Sequence, residues 1–252
     1  MYPDIRKGDC LEILPILPSE SCDLILSDLP YGVTSAGFDC VVDLEMLWPQ
    51  LWRVARPHCP VVLTASQPFT SILVMSQPDY FKHEWIWIKN AGSNFANTMR
   101  EPMKEHESVL VFARHGWTYN RQMQERTGGG ALRVKTPVKF ETKSENYREF
   151  DDRDYKLMPE LRVPSSWQKF NRERGLHPQQ KPVDLFRYLV RTYSNPGMTV
   201  LDVTAGSATT AIAAMREGRD CICIEKEQRF FNIAVQRILD EYQVPDFLVA
   251  AE

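Results

Sequence analysis

The run Cys22-Asp23-Leu24-Ile25-Leu26-Ser27 has the length and apolar content of a buried strand. It stops abruptly at Asp28-Leu29-Pro30-Tyr31-Gly32. A carboxylate, a proline, an aromatic ring and a glycine in succession are a poor way to extend a core. They are a good way to end a strand at a surface that holds a flat molecule. Its edge would be read by hydrogen bonds and its face by stacking on the exposed ring, as enzymes acting on extruded nucleobases require.

The 252 residues suffice for one large α/β domain, or one domain carrying a sizeable insertion. No apolar run reaches the roughly 18 residues of a membrane span. The segment Met1-Tyr2-Pro3-Asp4-Ile5-Arg6-Lys7 has no secretory h-region, so the cytoplasm is the expected compartment. The six cysteines form no C-x-x-C pair, and no zinc or other metal site is expected. Formal charge is −3, so nothing global advertises a polyanion partner. The charge is uneven, however: Arg114 to Arg174 holds fourteen Lys and Arg against nine Asp and Glu. A moderately basic segment in an acidic chain suits contact with phosphates and suits a solvated loop almost equally.

Along the chain, Leu11, Ile13, Leu14 and Leu17 suggest a short helix limited by Pro15 and Pro18. Tyr31 to Cys40 is turn-rich. Asp43 to Ala55 reads as an amphipathic helix, Pro60 to Ala65 as a buried strand, and Gln67-Pro68-Phe69 as the opening of a helix. His83 to Lys89 and Ser108 to Ala113 read as strands. Trp85 and Trp87 share one face, where core packing is favoured over DNA contact. From Trp117 to Gly175 periodicity is lost, and Gly128-Gly129-Gly130 lies within an expected insertion. Order returns with a helix from Val183 to Tyr193, a strand from Thr199, a helix Ala211 to Glu217, a strand Asp220 to Glu225 and a helix from about Gln228 to Tyr242. Strands alternating with helices imply a mostly parallel sheet.

Two constellations carry chemistry. From Leu201 to Glu225 a strand passes through a turn of small residues into a helix, and the next strand ends in an acid about twenty residues after the turn. That pattern binds nucleosides, the terminal acid gripping ribose hydroxyls. The turn holds one glycine, Gly206, and fits G-x-G-x-x-G poorly, which points to a ligand without phosphates. At Asp28-Leu29-Pro30-Tyr31, the carboxylate and the Leu29 backbone carbonyl could accept the two N–H groups of an exocyclic amine. Such an amine is a weak nucleophile until its lone pair is drawn out of conjugation. Tyr31 would stack on the base, with Pro30 setting the shape of the turn.

These residues together resemble the S-adenosylmethionine-dependent amino-methyltransferases of DNA, whose catalytic tetrapeptide is D/N/S-P-P-Y/F/W. The order, tetrapeptide early and cofactor turn late, resembles the circularly permuted beta group found in phages and restriction–modification systems. Gly8-Asp9-Cys10, Trp87-x-Lys89, His106-Glu107-Ser108-Val109-Leu110-Val111-Phe112 and His177-Pro178-Gln179-Gln180-Lys181-Pro182 are similar to further family segments, so the likeness spans nearly the whole chain. It implies a Rossmann-like, doubly wound, mostly parallel seven-stranded sheet, with 1–114 and 176–252 as the catalytic domain and 115–175 as an irregular target-recognition insertion. It implies transfer of a methyl group from S-adenosylmethionine to adenine N6, with cytosine N4 and a catalytically weakened DNA-binding protein as alternatives. The implied partner is double-stranded DNA with the target base flipped out, and a homodimer is compatible.

The implied catalytic residues are Asp28, Leu29, Pro30 and Tyr31. Those implied to bind cofactor are Asp9, Cys10, Lys181, Asp202, Thr204, Ala205, Gly206, Ser207 and Glu225, with Lys181 near the cofactor carboxylate. Asn94, Phe95, Asn97 and Arg100 are expected to contact DNA. Three positions depart from the family pattern. Leu29 replaces a proline, Thr204 a frequent aromatic, and Ala208 a glycine, where a methyl is expected to resist φ > 0 and crowd the ligand.

Overall fold

The computed structural model describes residues 2–32, 41–126 and 161–243. The chain divides into a main unit, 1–120 and 166–252, and a smaller unit, 121–165.

In the main unit the strands are β1 (Asp4–Lys7), β2 (Leu24–Ser27), β3 (Val61–Ala65), β4 (Phe81–Ser93), β5 (Lys104–Phe112), β8 (Trp167–Lys169), β9 (Thr199–Asp202) and β10 (Asp220–Glu225). They form one sheet in the order β1-β10-β9-β2-β3-β5-β4-β8. The first five run parallel, and β5 runs antiparallel to both β3 and β4. The expected seven strands are present, and short β8 adds an eighth by pairing in parallel with β4. In the smaller unit, β6 (Gln124–Glu125) pairs antiparallel with β7 (Leu161–Arg162), and Arg126 Nε donates to the Leu161 carbonyl at 2.9 Å. The expected glycine-rich stretch at 128–130 and most of the turn at 31–40 lie outside the described residues.

Alternation along β2 shows how the layers assemble. Leu24 and Leu26 enter an apolar cluster with residues of α4 (Val183–Tyr193), α5 (Thr209–Arg216) and α6 (Gln228–Gln243). Ile25 enters a second cluster with α1 (Cys10–Ile13), α2 (Leu44–Val54) and α3 (Phe69–Ser76). A strand buried on both faces reads as an unbroken apolar run, which is why this one was legible. Trp85 and Trp87 are buried in the first cluster, as core packing requires.

Helix boundaries follow local chemistry. Asp43 caps α2 by accepting from the amides of Glu45 and Met46 at 2.9 and 3.3 Å. α1 gives way after one turn to a 3-10 turn at Leu14–Ile16, because Pro15 has no amide to continue the helix. α5 begins at Thr209, two residues before the expected start.

The sheet also fixes where a ligand can enter. From β9 the chain crosses α5 to β10 on one side, whereas β2 leads to β3 on the other. The order therefore reverses between β9 and β2, and a crevice opens at their carboxyl ends. Their pairing stops at Ile25 with Leu201. Beyond it the Ser27 hydroxyl accepts from the Val203 amide at 2.9 Å, and the Thr204 hydroxyl donates to the Asp28 carbonyl at 3.0 Å. Side chains thus fasten the two strand ends where the backbones have parted. No described helix is long and apolar enough to cross a membrane.

Candidate functional site

Three strand ends converge on a cavity of about 290 Å³: Asp28 after β2, Asp202 at the end of β9 and Glu225 at the end of β10. Asp9, Cys10, Lys181, Thr204, Ala205, Gly206 and Ser207 also line it, so the structure brings together every residue expected to hold the cofactor.

Most of these side chains are tied back to the protein. Glu225 accepts from the amides of Gly206 and Glu227, both at 2.7 Å, and so shapes the turn. Burial pushes its carboxyl up, against those two amides. Asp202 accepts from the Thr204 amide at 3.1 Å and from the Thr210 hydroxyl. Burial pushes its carboxyl up to about 6. Asp9 accepts from the Leu11 amide at 2.9 Å and pairs with Lys226 at 3.0 Å. Burial pushes Asp9 up, but that amide and the Lys226 ammonium outweigh it and hold the carboxyl low. Burial also raises the Cys10 thiol to about 11, so it lines the wall as a neutral group.

Ala208 corrects one expectation. It does adopt the left-handed conformation, φ +62° and ψ +35°, as the N-cap of α5. Its methyl is fully buried in the apolar cluster under α4 and α5, between cavity-lining neighbours that it does not join. The strain is real, on the order of 1 kcal/mol. The methyl lies in the apolar cluster and Ala208 does not line the cavity, so the expected crowding has no cavity contact behind it.

Asp28 sits at the centre of a polar network. Its Oδ1 accepts from the Tyr31 hydroxyl at 2.8 Å and from the Thr64 hydroxyl, and its Oδ2 accepts from Lys181 Nζ at 2.7 Å. Tyr31 is not the exposed ring the sequence suggested. It is 9% exposed, stacked on Phe69 with centroids 5.5 Å apart, and lies 5.3 Å from Lys181 Nζ. Its hydroxyl lies within reach of three acceptors inside, Asp28, Thr64 and Glu107, at 2.8, 3.1 and 3.5 Å, which draws the ring down. Burial and the Asp28 and Glu107 carboxylates push its phenol well up, so it remains a donor. The Leu29 side chain is buried, leaving its backbone as the part that could face a substrate.

A second cavity of about 760 Å³ shares His177, Gln179, Gln180 and Lys181 with the first. Tyr31, Trp87, Lys89, Asn94, Lys104, His106, Glu107, Arg172, Arg174 and Arg229 help line it. Of the four residues expected at DNA, Asn94 alone reaches this wall. It is left-handed at φ +69°, with its side-chain amide donating to Glu101. Phe95, Asn97 and Arg100 project from the same loop as exposed residues, Phe95 at 80%. Sequence reading missed Lys104, Arg172, Arg174 and Arg229, which come from three separate segments. The signal for two of them was the basic excess near Arg174. Within 121–165 the balance is ten Lys and Arg against eight Asp and Glu, so much of that excess belongs to the main unit.

The sequence profile of the DNA methylase family matches residues 58–236. The chain belongs to the N6-adenine/N4-cytosine DNA methyltransferase family. It is 28% identical over 253 residues to the DNA adenine methyltransferase YhdJ of Escherichia coli (strain K12), covering 93% of this chain and 82% of that one. In three dimensions it is similar to M1.HpyAVI in its SAM complex, with TM-score 0.62 and 22% identity over 93% of this chain and 98% of that one. It is also similar to PvuII DNA methyltransferase (cytosine-N4-specific), with TM-score 0.67 and 14% identity over 100% of this chain and 94% of that one. At these identities the two structures carry the fold, a DNA methyltransferase sheet with helices on both faces.

Proposed function

We propose that this DNA methyltransferase transfers a methyl group from S-adenosylmethionine to the exocyclic N6 of adenine in double-stranded DNA, with the target base turned out of the helix. The observation that carries the reading is the Asp28 carboxylate. It is fixed at the end of β2, where an acidic cavity and a basic cavity share a wall.

The donor set fits the cofactor. Asp9, Asp28, Asp43, Asp202, Glu225 and Glu227 line the first cavity against two lysines. Such a wall repels phosphates and favours a cationic sulfonium and ligand hydroxyls. Glu225, with Gly206 beneath it, would hold the ribose, and Asp9 the adenine. When bound, S-adenosylmethionine supplies an electrophilic methyl group. The chain's own part is positioning. Asp28 accepts one amine N–H, the Leu29 carbonyl accepts the other, and the Tyr31 edge with its hydroxyl holds the acid in place. The nitrogen would gain the methyl group as the C–S bond breaks and its electron pair stays on sulfur, and it would lose its proton to solvent. The second cavity would receive the base and its flanking phosphates, and the smaller unit would read the neighbouring sequence.

Cytosine N4 is the second reading, supported by the likeness to a cytosine-N4 enzyme and by the similar geometry of the two amines. The test is transfer of labelled methyl from S-adenosylmethionine to unmethylated DNA, followed by nucleoside analysis, for the wild type and Asp28→Ala. The expected result is N6-methyladenine in the first and a loss of at least about 1,000-fold in the second. N4-methylcytosine would install the second reading, and no methylated product would overturn both.

A further inference from the structure

Lys181 was expected beside the cofactor carboxylate, and the structure gives it other work. Its Nζ lies 2.7 Å from Asp28 Oδ2 and 3.3 Å from Glu107 Oε2, with the Tyr31 ring over it. Glu107 is in turn held by Lys89 Nζ at 2.5 Å on its other oxygen. The result is a chain of alternating charge, Asp28, Lys181, Glu107 and Lys89, running from the first cavity into the second. Lys181 is 6% exposed, and its backbone is fixed because Pro182 caps α4 and Thr209 donates to its carbonyl at 3.2 Å.

An ammonium has three N–H groups; Lys181 Nζ donates one to Asp28, pairs with Glu107 at 3.3 Å and lies 5.3 Å from the Tyr31 ring centroid, so two carboxylates already share its charge. A ligand carboxylate would have to compete with both. An ionised carboxyl offers about four lone-pair directions. Asp28 spends three, on Tyr31, Thr64 and Lys181. One acceptor direction stays open, on Oδ2, which is the number one amine N–H needs.

We propose that Lys181 is a positioning residue for the methyl transfer: clamped by Glu107, its ammonium orients the Asp28 carboxylate so that a single acceptor direction faces the amine. This rests on the reading of Asp28 as the acid that holds the amine. Burial works against the Lys181 charge, but Asp28 and Glu107 outweigh it and raise its titration. Burial pushes Glu107 up, and Lys181 and Lys89 more than reverse it. Among the described residues the titratable groups facing Lys181 are Asp28, Glu107, Tyr31 and His177, and burial, with the Lys181 and Arg229 charges, holds the His177 imidazole below its ordinary value.

The experiment compares kcat and KM for both substrates in the wild type, Lys181→Met, Lys181→Arg and Glu107→Gln, after thermal melts establish folding. Lys181→Met is expected to lower kcat on the order of 100-fold at saturation, as loss of one preorganised donor does. Its KM for S-adenosylmethionine is expected to stay within about threefold of wild type. The low-pH limb of kcat should move to higher pH, because the buried carboxylates lose their cation. Lys181→Arg should recover most of the rate, and Glu107→Gln should cost about tenfold. A raised KM for S-adenosylmethionine with wild-type kcat would overturn the proposal and return Lys181 to the cofactor. If Lys181→Met does not fold, Glu107→Gln decides, and an unchanged kcat there overturns the proposal. Asp28→Ala separates the two levels. An active Asp28→Ala sinks the reading of Asp28 itself, whereas an inactive one beside a fully active Lys181→Met sinks only the role of Lys181.

Discussion

The two cavities that share the His177–Lys181 wall are mirror images in charge. The first has six carboxylates and two lysines, and the second has six Lys and Arg and two glutamates, with Lys181 counted in both. They are also built differently. In the first, acids stand at consecutive strand ends and are fastened to nearby amides, hydroxyls and an ammonium, so the cavity is preorganised before any ligand arrives. In the second, Lys104, Arg174 and Arg229 are exposed side chains on separate elements, suited to tracking a mobile polyanion. The first would bind by shape and fixed dipoles, the second by attraction that salt can screen.

The sharpest way to break this contrast is at Glu225. In Glu225→Ala, two amides lose their buried acceptor, at about 1–3 kcal/mol each, and the turn at Gly206 loses its form. Cofactor affinity measured by calorimetry should fall 100-fold or more at ~3 kcal/mol, while DNA affinity stays near wild type. An equal loss of both affinities would mean that the two cavities are not separable.

Acid should move the two sites in opposite directions. Asp202 titrates near 6 in the fold against 3.8 as its ordinary value, so it favours the folded state most below 3.8, and this is lost as pH rises through 6. Glu107 is lowered, so its contribution is present above its ordinary 4.5 and is lost as pH falls. Melting curves at pH 4 and pH 6 check this. Relative to wild type, Asp202→Asn should gain stability on going from pH 4 to 6, by at most about 3 kcal/mol, and Glu107→Gln should lose it. The same sign in both variants would refute the contrast.

In the basic cavity, Lys104→Ala and Arg174→Ala should each weaken DNA binding modestly. Each should lower the slope of log affinity against log salt by about 1, with cofactor affinity unchanged. A slope that does not move would show that these groups do not meet phosphates.

The same difference in construction explains what the sequence disclosed. An acid at the end of an apolar run is a local signal, so Asp28, Asp202 and Glu225 were readable together with the parallel sheet that carries them. The basic cavity arises by convergence of β4, β5, the 172–180 segment and α6, and only the charge excess that includes Arg172 and Arg174 hints at it locally. Tyr31 was misplaced for a related reason. A ring after a proline reads as exposed until Thr64, thirty-three residues away, is known to sit beside its hydroxyl. Lys181 and Glu107 stand in separate motifs, and no local pattern announces that they pair.

The smallest expected effect concerns Ala208. Replacing it with glycine removes about 1 kcal/mol of left-handed strain. It also exposes the unfolded chain to more conformations and deletes a buried methyl, each worth about 0.5–1 kcal/mol in the opposite sense. Ala208→Gly should therefore shift stability by less than about 1 kcal/mol in thermal melts. Because the methyl belongs to the core and not to the cavity, cofactor affinity should not change. A several-fold gain in affinity would place the methyl against the ligand after all, and the acidic cavity would then be incompletely preorganised. At Ala208 the burial of the methyl offsets the strain of the left-handed backbone.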